Sequence, residues 1–156
     1  MRVYHSSVLK VEKPLISYSR DFLDFGKVFY VTTILSQAEK YAERFKFREK
    51  DAWLNIFEFD YDVHQWNVIK FEAYNEDWLD FVMDCRNGKD PQNADLVIGG
   101  IADDKVFRTI DLYFSNEIDK SEALKRLVYE KPDMQICIKS QRLIDECLTV
   151  VDAMKL

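Results

Sequence analysis

The stretch that most constrains the fold is residues 24–33, DFGKVFYVTT. Gly26 supplies the backbone freedom that a tight turn needs. Residues 28–31 are all β-branched or aromatic, which is typical of a strand. Helical periodicity follows, so we expect a helix to begin near Thr33. A short strand between a turn and a helix makes Tyr30 a candidate site residue at the edge of a cleft. The alternative is a core strand with a hydrogen-bonded tyrosine.

Bulk properties bound the class of protein. A chain of 156 residues suits a single domain over residues 1–156, since single domains usually hold about 100–200 residues. No apolar run approaches the roughly 20 residues that span a bilayer, and the N-terminus has no apolar signal-peptide core. We therefore expect a cytoplasmic protein that does not contact the membrane. The net charge of −6 gives no indication of nucleic-acid binding, which needs a basic face.

Cysteine and histidine usage argues against a metal site. The three cysteines, Cys85, Cys137 and Cys147, are widely spaced among apolar residues. An odd number of this kind favours reduced, buried thiols over a disulfide framework or a zinc site. The chain has only two histidines, and His64 lies in a polar stretch that we expect on the surface. We predict no metal.

Periodicity along the chain predicts a mixture of strands and helices. Strands are predicted at residues 2–5, 28–31, 52–60, 67–71, 95–101, 134–139 and 149–156. Helices are predicted at residues 36–47, after Asn75 as N-cap, after Asp103, after Asp119 and after Ser140. Residues 6–24 are predicted to be a long surface loop, a type of segment that is often functional. Because there is no strict βαβ alternation, the fold class is α+β.

Apolar spacing also predicts which helical side chains are buried. In the helix after Asp103 the expected inner face is Val106, Phe107, Ile110 and Phe114. In the helix after Asp119 the expected buried residues are Ala123, Leu124, Leu127 and Val128.

Two patterns that suggest chemistry have simpler explanations. Asp103 and Asp104 form a carboxylate pair, but they also begin a predicted helix, where capping and dipole complementarity favour acidic residues. The glycines at 99–100 and the pair Gly26-Lys27 match neither of the phosphate-binding motifs GxGxxG and GxxxxGK[ST].

The remaining candidates are five polar residues on predicted strands or at their ends: His5, Ser6, Ser7, Tyr30 and Gln135. The segment YHSS at residues 4–7, followed by FGKVFYVTT at residues 25–33, resembles the first two motifs of the ADP-ribosyltransferase superfamily. In its His–Tyr branch these motifs are a histidine followed by a small residue, and a turn and strand of GKGxY type.

Over nearly its full length the chain is similar to a family of small bacterial proteins of uncharacterised function within that superfamily. The segments that carry this resemblance are residues 24–27, 37–39, 78–82, 102–110 and 135–138. The resemblance implies an ADP-ribosyltransferase-like split β core of two facing sheets with flanking helices. It also implies that NAD binds as a substrate in the cleft between the sheets.

Site roles follow from the resemblance by correspondence. His5 would hydrogen-bond the adenine-side ribose with support from Ser7, the backbone at Ser6 would hold the nicotinamide amide, and Tyr30 would stack on the nicotinamide ring. Gln135 falls near the position where active transferases usually carry a catalytic glutamate. The expected catalytic residues are thus His5, Tyr30 and Gln135.

The resemblance implies transfer of ADP-ribose to a macromolecular target or hydrolysis of NAD, in a toxin-type effector with a small neutralising partner protein. One alternative is a non-catalytic module that binds NAD, an ADP-ribosyl group or a protein, because a neutral Gln135 lacks the charge of glutamate. Another is a structural interaction domain, with Trp53 and Trp66 as an exposed docking patch unless they pack in the core.

Overall fold

Strands and helices alternate irregularly in the computed structural model, which describes residues 1–19, 24–89 and 93–156. The strands are β1 (Arg2–Ser7), β2 (Phe29–Val31), β3 (Trp53–Phe59), β4 (Val68–Lys70), β5 (Leu96–Gly100), β6 (Met134–Ile138) and β7 (Leu148–Lys155). The α-helices are α1 (Leu35–Phe47), α2 (Glu76–Arg86), α3 (Asp104–Phe114), α4 (Lys120–Leu127) and α5 (Gln141–Cys147). A short 3₁₀ helix covers Ile16–Tyr18. The α+β class is confirmed.

The strands form two sheets. One has three antiparallel strands in the order β1-β3-β7, and the other has four strands in the order β2-β6-β5-β4. In the second sheet only the pairing of β4 with β5 is parallel among the described strands. A bridge between Tyr4 and Thr32 connects the sheets where β1 passes the end of β2.

Two hydrophobic clusters cover opposite faces of the four-stranded sheet. The sheet–sheet cluster contains residues of both sheets, among them Val3, Phe29, Phe57 and Ile138. The helix-side cluster lies on the other face and joins that sheet to α2, α3 and α4; it includes Cys137. This division follows from the strands themselves, because successive side chains point to opposite faces.

The turn before β2 is held by charged side chains. Gly26 has φ +78°, a left-handed conformation that glycine adopts without strain. Asp24 accepts bonds from Arg86 Nη2 at 2.7 Å and from the Ala102 main-chain N–H at 3.1 Å. Lys139 Nζ donates to the carbonyl of Phe25. The turn is thereby attached to α2, to the residues before α3 and to the end of β6, which sets the position of β2.

Most predicted elements are confirmed to within one or two residues, with their caps. Asn75, Asp119 and Ser140 each accept a hydrogen bond from the main chain three residues later. The helix expected near Thr33 begins at Leu35. The predicted loop at residues 6–24 is shorter than expected, because β1 continues to Ser7. Residues 20–23 of that loop lie outside the described residues.

Several burial predictions are wrong. Phe107, Phe114 and Val128 are 48%, 44% and 72% exposed. Val106 and Ile110 are buried as predicted, and Thr109 completes the inward stripe of α3. The guanidinium of Arg86 lies 5.1 Å from the centre of the Phe107 ring. Val128 is the C-cap of α4, beyond the last buried turn. Helical spacing does not by itself decide where a stripe ends.

Other surface and thiol predictions have mixed outcomes. No disulfide joins any two of the three cysteines; Cys85 and Cys137 are buried and Cys147 is only partly buried. His64 is exposed, as predicted. Trp66 is neither fully exposed nor fully buried, and the guanidinium of Arg142 lies 5.0 Å from its ring. Among the described residues no helix has the length and apolar character needed to cross a membrane.

Candidate functional site

Three strands that carry candidate residues meet at β2. β1 contacts the residue just after β2: the Tyr4 N–H donates to the Thr32 carbonyl at 2.8 Å, and the Thr32 N–H donates to the Tyr4 carbonyl at 3.0 Å. β6 pairs with β2 along all three of its residues. His5 follows Tyr4 on β1, Tyr30 is the middle residue of β2, and Gln135 lies on β6. We call this region the β1–β2–β6 junction.

His5 is held in one tautomer by the main chain of β2. Its Nδ1 lies 2.7 Å from the carbonyl oxygen of Tyr30. A carbonyl oxygen only accepts, so Nδ1 carries the proton and Nε2 keeps its lone pair. Burial lowers the pKa of His5, and this hydrogen bond raises it by a smaller amount. The imidazole is therefore neutral near pH 7, and Nε2 is a hydrogen-bond acceptor.

The His5 ring packs on the sheet–sheet side of the junction. The centres of the His5 and Phe29 rings are 4.3 Å apart, and Phe29 belongs to the sheet–sheet cluster. Tyr30 packs against the helix-side cluster, on the opposite face of β2. The structure thus brings His5 to the backbone of Tyr30 and places the two rings on different faces.

The Tyr30 phenol is in a low-polarity environment. Burial raises its pKa well above the ordinary value, and the nearby Cys137 thiol and the Asp24 carboxylate raise it further. Tyr30 is directly opposite Cys137 on β6, so both side chains face the helices. The phenol is neutral at physiological pH and offers a flat, uncharged ring.

Ser6 and Ser7 make internal hydrogen bonds with their side chains. Ser6 Oγ donates to the Ala38 carbonyl of α1 at 2.5 Å and is buried. Ser7 Oγ donates to the Leu9 carbonyl at 2.5 Å and accepts from Asn55 Nδ2 at 3.0 Å. These contacts stabilise the end of β1, and the predicted contacts of the two residues with NAD stay predictions.

Asn55 is the main polar support of this strand end, and sequence reasoning gave it no role. Its side chain is fully buried on β3. Nδ2 also lies 3.3 Å from the carbonyls of both His5 and Leu9, and Oδ1 accepts from the Val11 N–H at 2.7 Å. A signal was present, since an amide among the apolar residues of one strand face must find partners when buried.

Gln135 is bonded to two side chains from other elements. Its Nε2 donates to Gln37 Oε1 on α1 at 3.1 Å, and the same oxygen accepts from Thr32 Oγ1 at 2.7 Å. Thr32 Oγ1 in turn accepts from the Ile34 N–H at 3.1 Å. The sequence pattern assigned no role to Gln37 or Thr32, because Gln37 and Gln135 are 98 residues apart and their contact depends on tertiary packing.

Asp103 caps α3, and the charges of Asp103 and Asp133 both act on Tyr74. Asp103 Oδ1 accepts from the main-chain N–H groups of Lys105 and Val106 at 3.1 and 3.0 Å, which confirms the capping interpretation. Burial raises the pKa of Tyr74 above its ordinary value, and the charges of Asp103 and Asp133 add to this effect. Both carboxylates therefore lie in the surroundings of Tyr74.

Gly99 and Gly100 allow close packing beside Gln135. They pair with Gln135 and Met134 across the sheet. A Cβ added at Gly100 would lie 2.4 Å from Pro132 Cβ, closer than packed carbon atoms approach. This close approach explains the glycine at position 100 without a phosphate-binding role.

Two surface cavities lie away from the junction. A cavity of about 500 Å³ is lined by Lys27, Lys89, Asp95, Lys139 and neighbouring residues. A second of about 510 Å³ lies beside β4 and α2 and is acidic, with Glu72, Asp77, Asp80 and Asp84 in its wall. Neither lining includes any of the five candidates. Within the described residues no cluster of histidine, cysteine or carboxylate groups suits a metal ion.

Comparison with known proteins gives a family for the chain. Residues 1–150 match the model of the family described as "Protein of unknown function (DUF3990)". No curated protein and no solved structure matches the chain. Because the match covers nearly the whole sequence, the chain belongs to the DUF3990 family of proteins of unknown function.

Proposed function

We propose that this protein is an ADP-ribosyltransferase-like protein that binds NAD as a substrate at the β1–β2–β6 junction, on a split β core of that superfamily. The observation that carries the proposal is that His5, Tyr30 and Gln135 lie on three adjoining strands where the two sheets connect, with His5 bonded to the Tyr30 main chain. The sequence resemblance supplies the same three residues. Neither cavity described above is lined by these three residues.

The hydrogen-bonding capacity of the junction suits a ribose. His5 Nε2 is an acceptor, since Nδ1 donates to the main chain. Gln135 uses its amide nitrogen internally, so its carbonyl oxygen is a second acceptor. Ribose hydroxyl groups are donors that such acceptors bind. The neutral ring of Tyr30 adds an aromatic surface for a nicotinamide or adenine base, on its own face of β2.

The proposed reaction breaks the bond between nicotinamide nitrogen and ribose carbon. Nicotinamide leaves with the bonding electron pair, and positive charge develops on the ribose carbon. A nucleophilic group of a macromolecule, or water, then adds to this carbon and loses its proton. Gln135 would hold a ribose hydroxyl in place, which contributes orientation but no negative charge to the transition state.

The neutral side chain at position 135 favours a second candidate, a non-catalytic module that binds NAD or an ADP-ribosyl group at the same place. The substitution Gln135→Glu separates the two candidates. If a carboxylate is the missing element, release of nicotinamide from NAD should rise above the wild-type rate. Gln65→Glu is a matched control, because Gln65 is exposed and outside the junction.

Calorimetric titration with NAD is the direct test of the site. We expect wild-type protein to bind NAD and His5→Ala to lose at least roughly tenfold in affinity, since an acceptor and its packed ring are both removed. His64→Ala removes the other, exposed histidine and should bind like wild type. Absence of binding by wild type at millimolar NAD, or unchanged binding by His5→Ala, would overturn the proposal.

The cellular role extends this proposal. A cytoplasmic toxin-type effector with a small neutralising partner stays a prediction of the resemblance, as does a macromolecular acceptor. Both depend on NAD turnover, so the titration and the nicotinamide-release assay come first.

A further inference from the structure

A chain of hydrogen bonds connects the main chain to Gln135, and its donors converge on Gln37 Oε1. The Ile34 N–H donates to Thr32 Oγ1 at 3.1 Å, and the Thr32 hydroxyl donates to Gln37 Oε1 at 2.7 Å. Gln135 Nε2 donates to the same oxygen at 3.1 Å. Gln37 Oε1 therefore accepts from both sides.

The main-chain donor sets the direction of the chain. A backbone N–H can only donate, so Thr32 Oγ1 accepts there and has its hydrogen available for Gln37. Reversing the Gln37 amide would turn its NH₂ group toward Thr32, and the hydroxyl hydrogen of this buried residue would lose its acceptor. Leaving a buried donor without a partner costs about 1–3 kcal/mol. The observed orientation of Gln37 is thus strongly preferred.

The orientation of Gln135 follows from that of Gln37. With an oxygen facing it, Gln135 must present its NH₂ group to α1, and its carbonyl oxygen is left for other partners. A reversed Gln135 would place two amide oxygens against each other.

We propose that Gln37 is a positioning residue that selects the carbonyl face of Gln135 for the ligand, so that this site takes a hydroxyl or N–H donor and rejects an acceptor group. Its importance for a ligand rests on the proposed function. The amide orientation itself does not, and can be tested in the free protein.

The first experiment compares two substitutions at position 37 by NMR of the Gln135 side-chain amide, assigned through its loss in Gln135→Glu. Gln37→Glu supplies only acceptor oxygens, so the Gln135 NH₂ group should keep its position, its nuclear Overhauser contacts to residue 37 and its slowed hydrogen exchange. Gln37→Met has a similar length and no acceptor of comparable strength, so these contacts should vanish and exchange should accelerate at least roughly threefold.

Thr32 provides an independent check on direction. Thr32→Val removes the hydroxyl at nearly constant volume, and we expect the Gln135 amide signals to shift or broaden as Gln37 becomes free to rotate. Thr32→Ser retains the hydroxyl and should restore the wild-type signals. Identical Gln135 spectra in Gln37→Glu and Gln37→Met, or in Thr32→Val and Thr32→Ser, would overturn the positioning role.

NAD titration of the same variants separates this proposal from the proposed function. We expect Gln37→Glu to bind NAD within about twofold of wild type and Gln37→Met to bind roughly fivefold more weakly, the effect of one misdirected hydrogen bond. If wild type does not bind NAD, the proposed function fails while the NMR result still decides the positioning role. If NAD binds equally to all variants although the amide reorients, the selection of ligand donors by Gln37 is wrong.

Discussion

The two flanks of β2 hold their candidate residues by different means. On the β1 flank, His5 is oriented by a main-chain carbonyl, that of Tyr30. On the β6 flank, Gln135 is oriented by the side chains of Gln37 and Thr32. A main-chain carbonyl is present whatever residue occupies a strand position. The hydrogen bonds among Thr32, Gln37 and Gln135, by contrast, exist only when these particular side chains are present. The hydrogen bond that orients His5 is therefore insensitive to which residue occupies position 30, whereas a single change at position 32 or 37 can alter the orientation of Gln135.

The flanks also differ in how they are packed. The end of β1 is supported by a fully buried amide, Asn55, which contacts main-chain and side-chain groups of the segment after His5. Beside Gln135, the support is close backbone approach at Gly100, against Pro132 and Tyr74. Hydrogen bonds of a buried amide support the β1 flank, and close packing around Gly100 supports the β6 flank. The two flanks should therefore respond to different substitutions.

The largest effect is expected from Asn55→Ala, which breaks the β1 flank. The variant leaves the partly buried Val11 N–H without its acceptor and removes the donor to Ser7 and Leu9. We expect the free energy of unfolding, measured by urea denaturation, to fall by about 3 kcal/mol. Ser7→Ala removes one member of this group and should cost about 1 kcal/mol. Equal losses in the two variants would contradict the central role of Asn55.

Gly100→Ala tests the steric support of the β6 flank. The new methyl group would meet Pro132 Cβ at 2.4 Å and ring atoms of Tyr74 at 2.7 and 2.8 Å. Overpacking of this kind typically costs 1–3 kcal/mol, and we expect about 2 kcal/mol in urea denaturation.

Gly99→Ala is the matched control for that substitution. Its methyl group would meet side-chain atoms of Phe71 and Phe25 at 3.4–3.5 Å, close to ordinary contact. We expect a change below about 1 kcal/mol. A loss at position 99 as large as that at position 100 would show that the local strand, and not the approach of Pro132, is sensitive.

The smallest effect is a pH dependence that comes from His5. Burial lowers its pKa below the unfolded value of about 6.5, so the unfolded chain binds a proton that the native protein does not as the pH falls below that value. The contribution of His5 to stability is thus complete above about pH 6.5, and it is lost as the pH falls from there to the pKa of His5 in the folded protein. Between pH 8 and pH 5, the free energy of unfolding measured by urea denaturation should fall less for His5→Gln than for wild type.

His64→Gln is the control for the pH series, because His64 is exposed. It should keep the wild-type pH dependence. A slope in His5→Gln equal to that of wild type would mean that the histidine is protonated alike in the native and unfolded states, which would contradict the lowering of its pKa by burial.

Much of the fold could be predicted because it depends on local interactions. Asn75 and Asp119 are caps whose partners lie three residues away, and the alternation in residues 52–60 identifies β3. The errors occurred where local spacing is not sufficient. Phe107 has the right type for a buried position, but α3 faces the core through Thr109 and Ile110.

The sequence by itself determined the helices, the strands, their caps, the α+β class and a set of five polar candidates. Only the tertiary structure decided how those candidates relate. His5 and Tyr30 are 25 residues apart and meet through a main-chain carbonyl, which no residue pattern records. Gln37 and Gln135 are 98 residues apart and meet because β2 pairs with β6 while α1 packs on β1 and β3. Such contacts depend on strand pairing between distant segments, and it is the packing of the whole domain that selects this pairing.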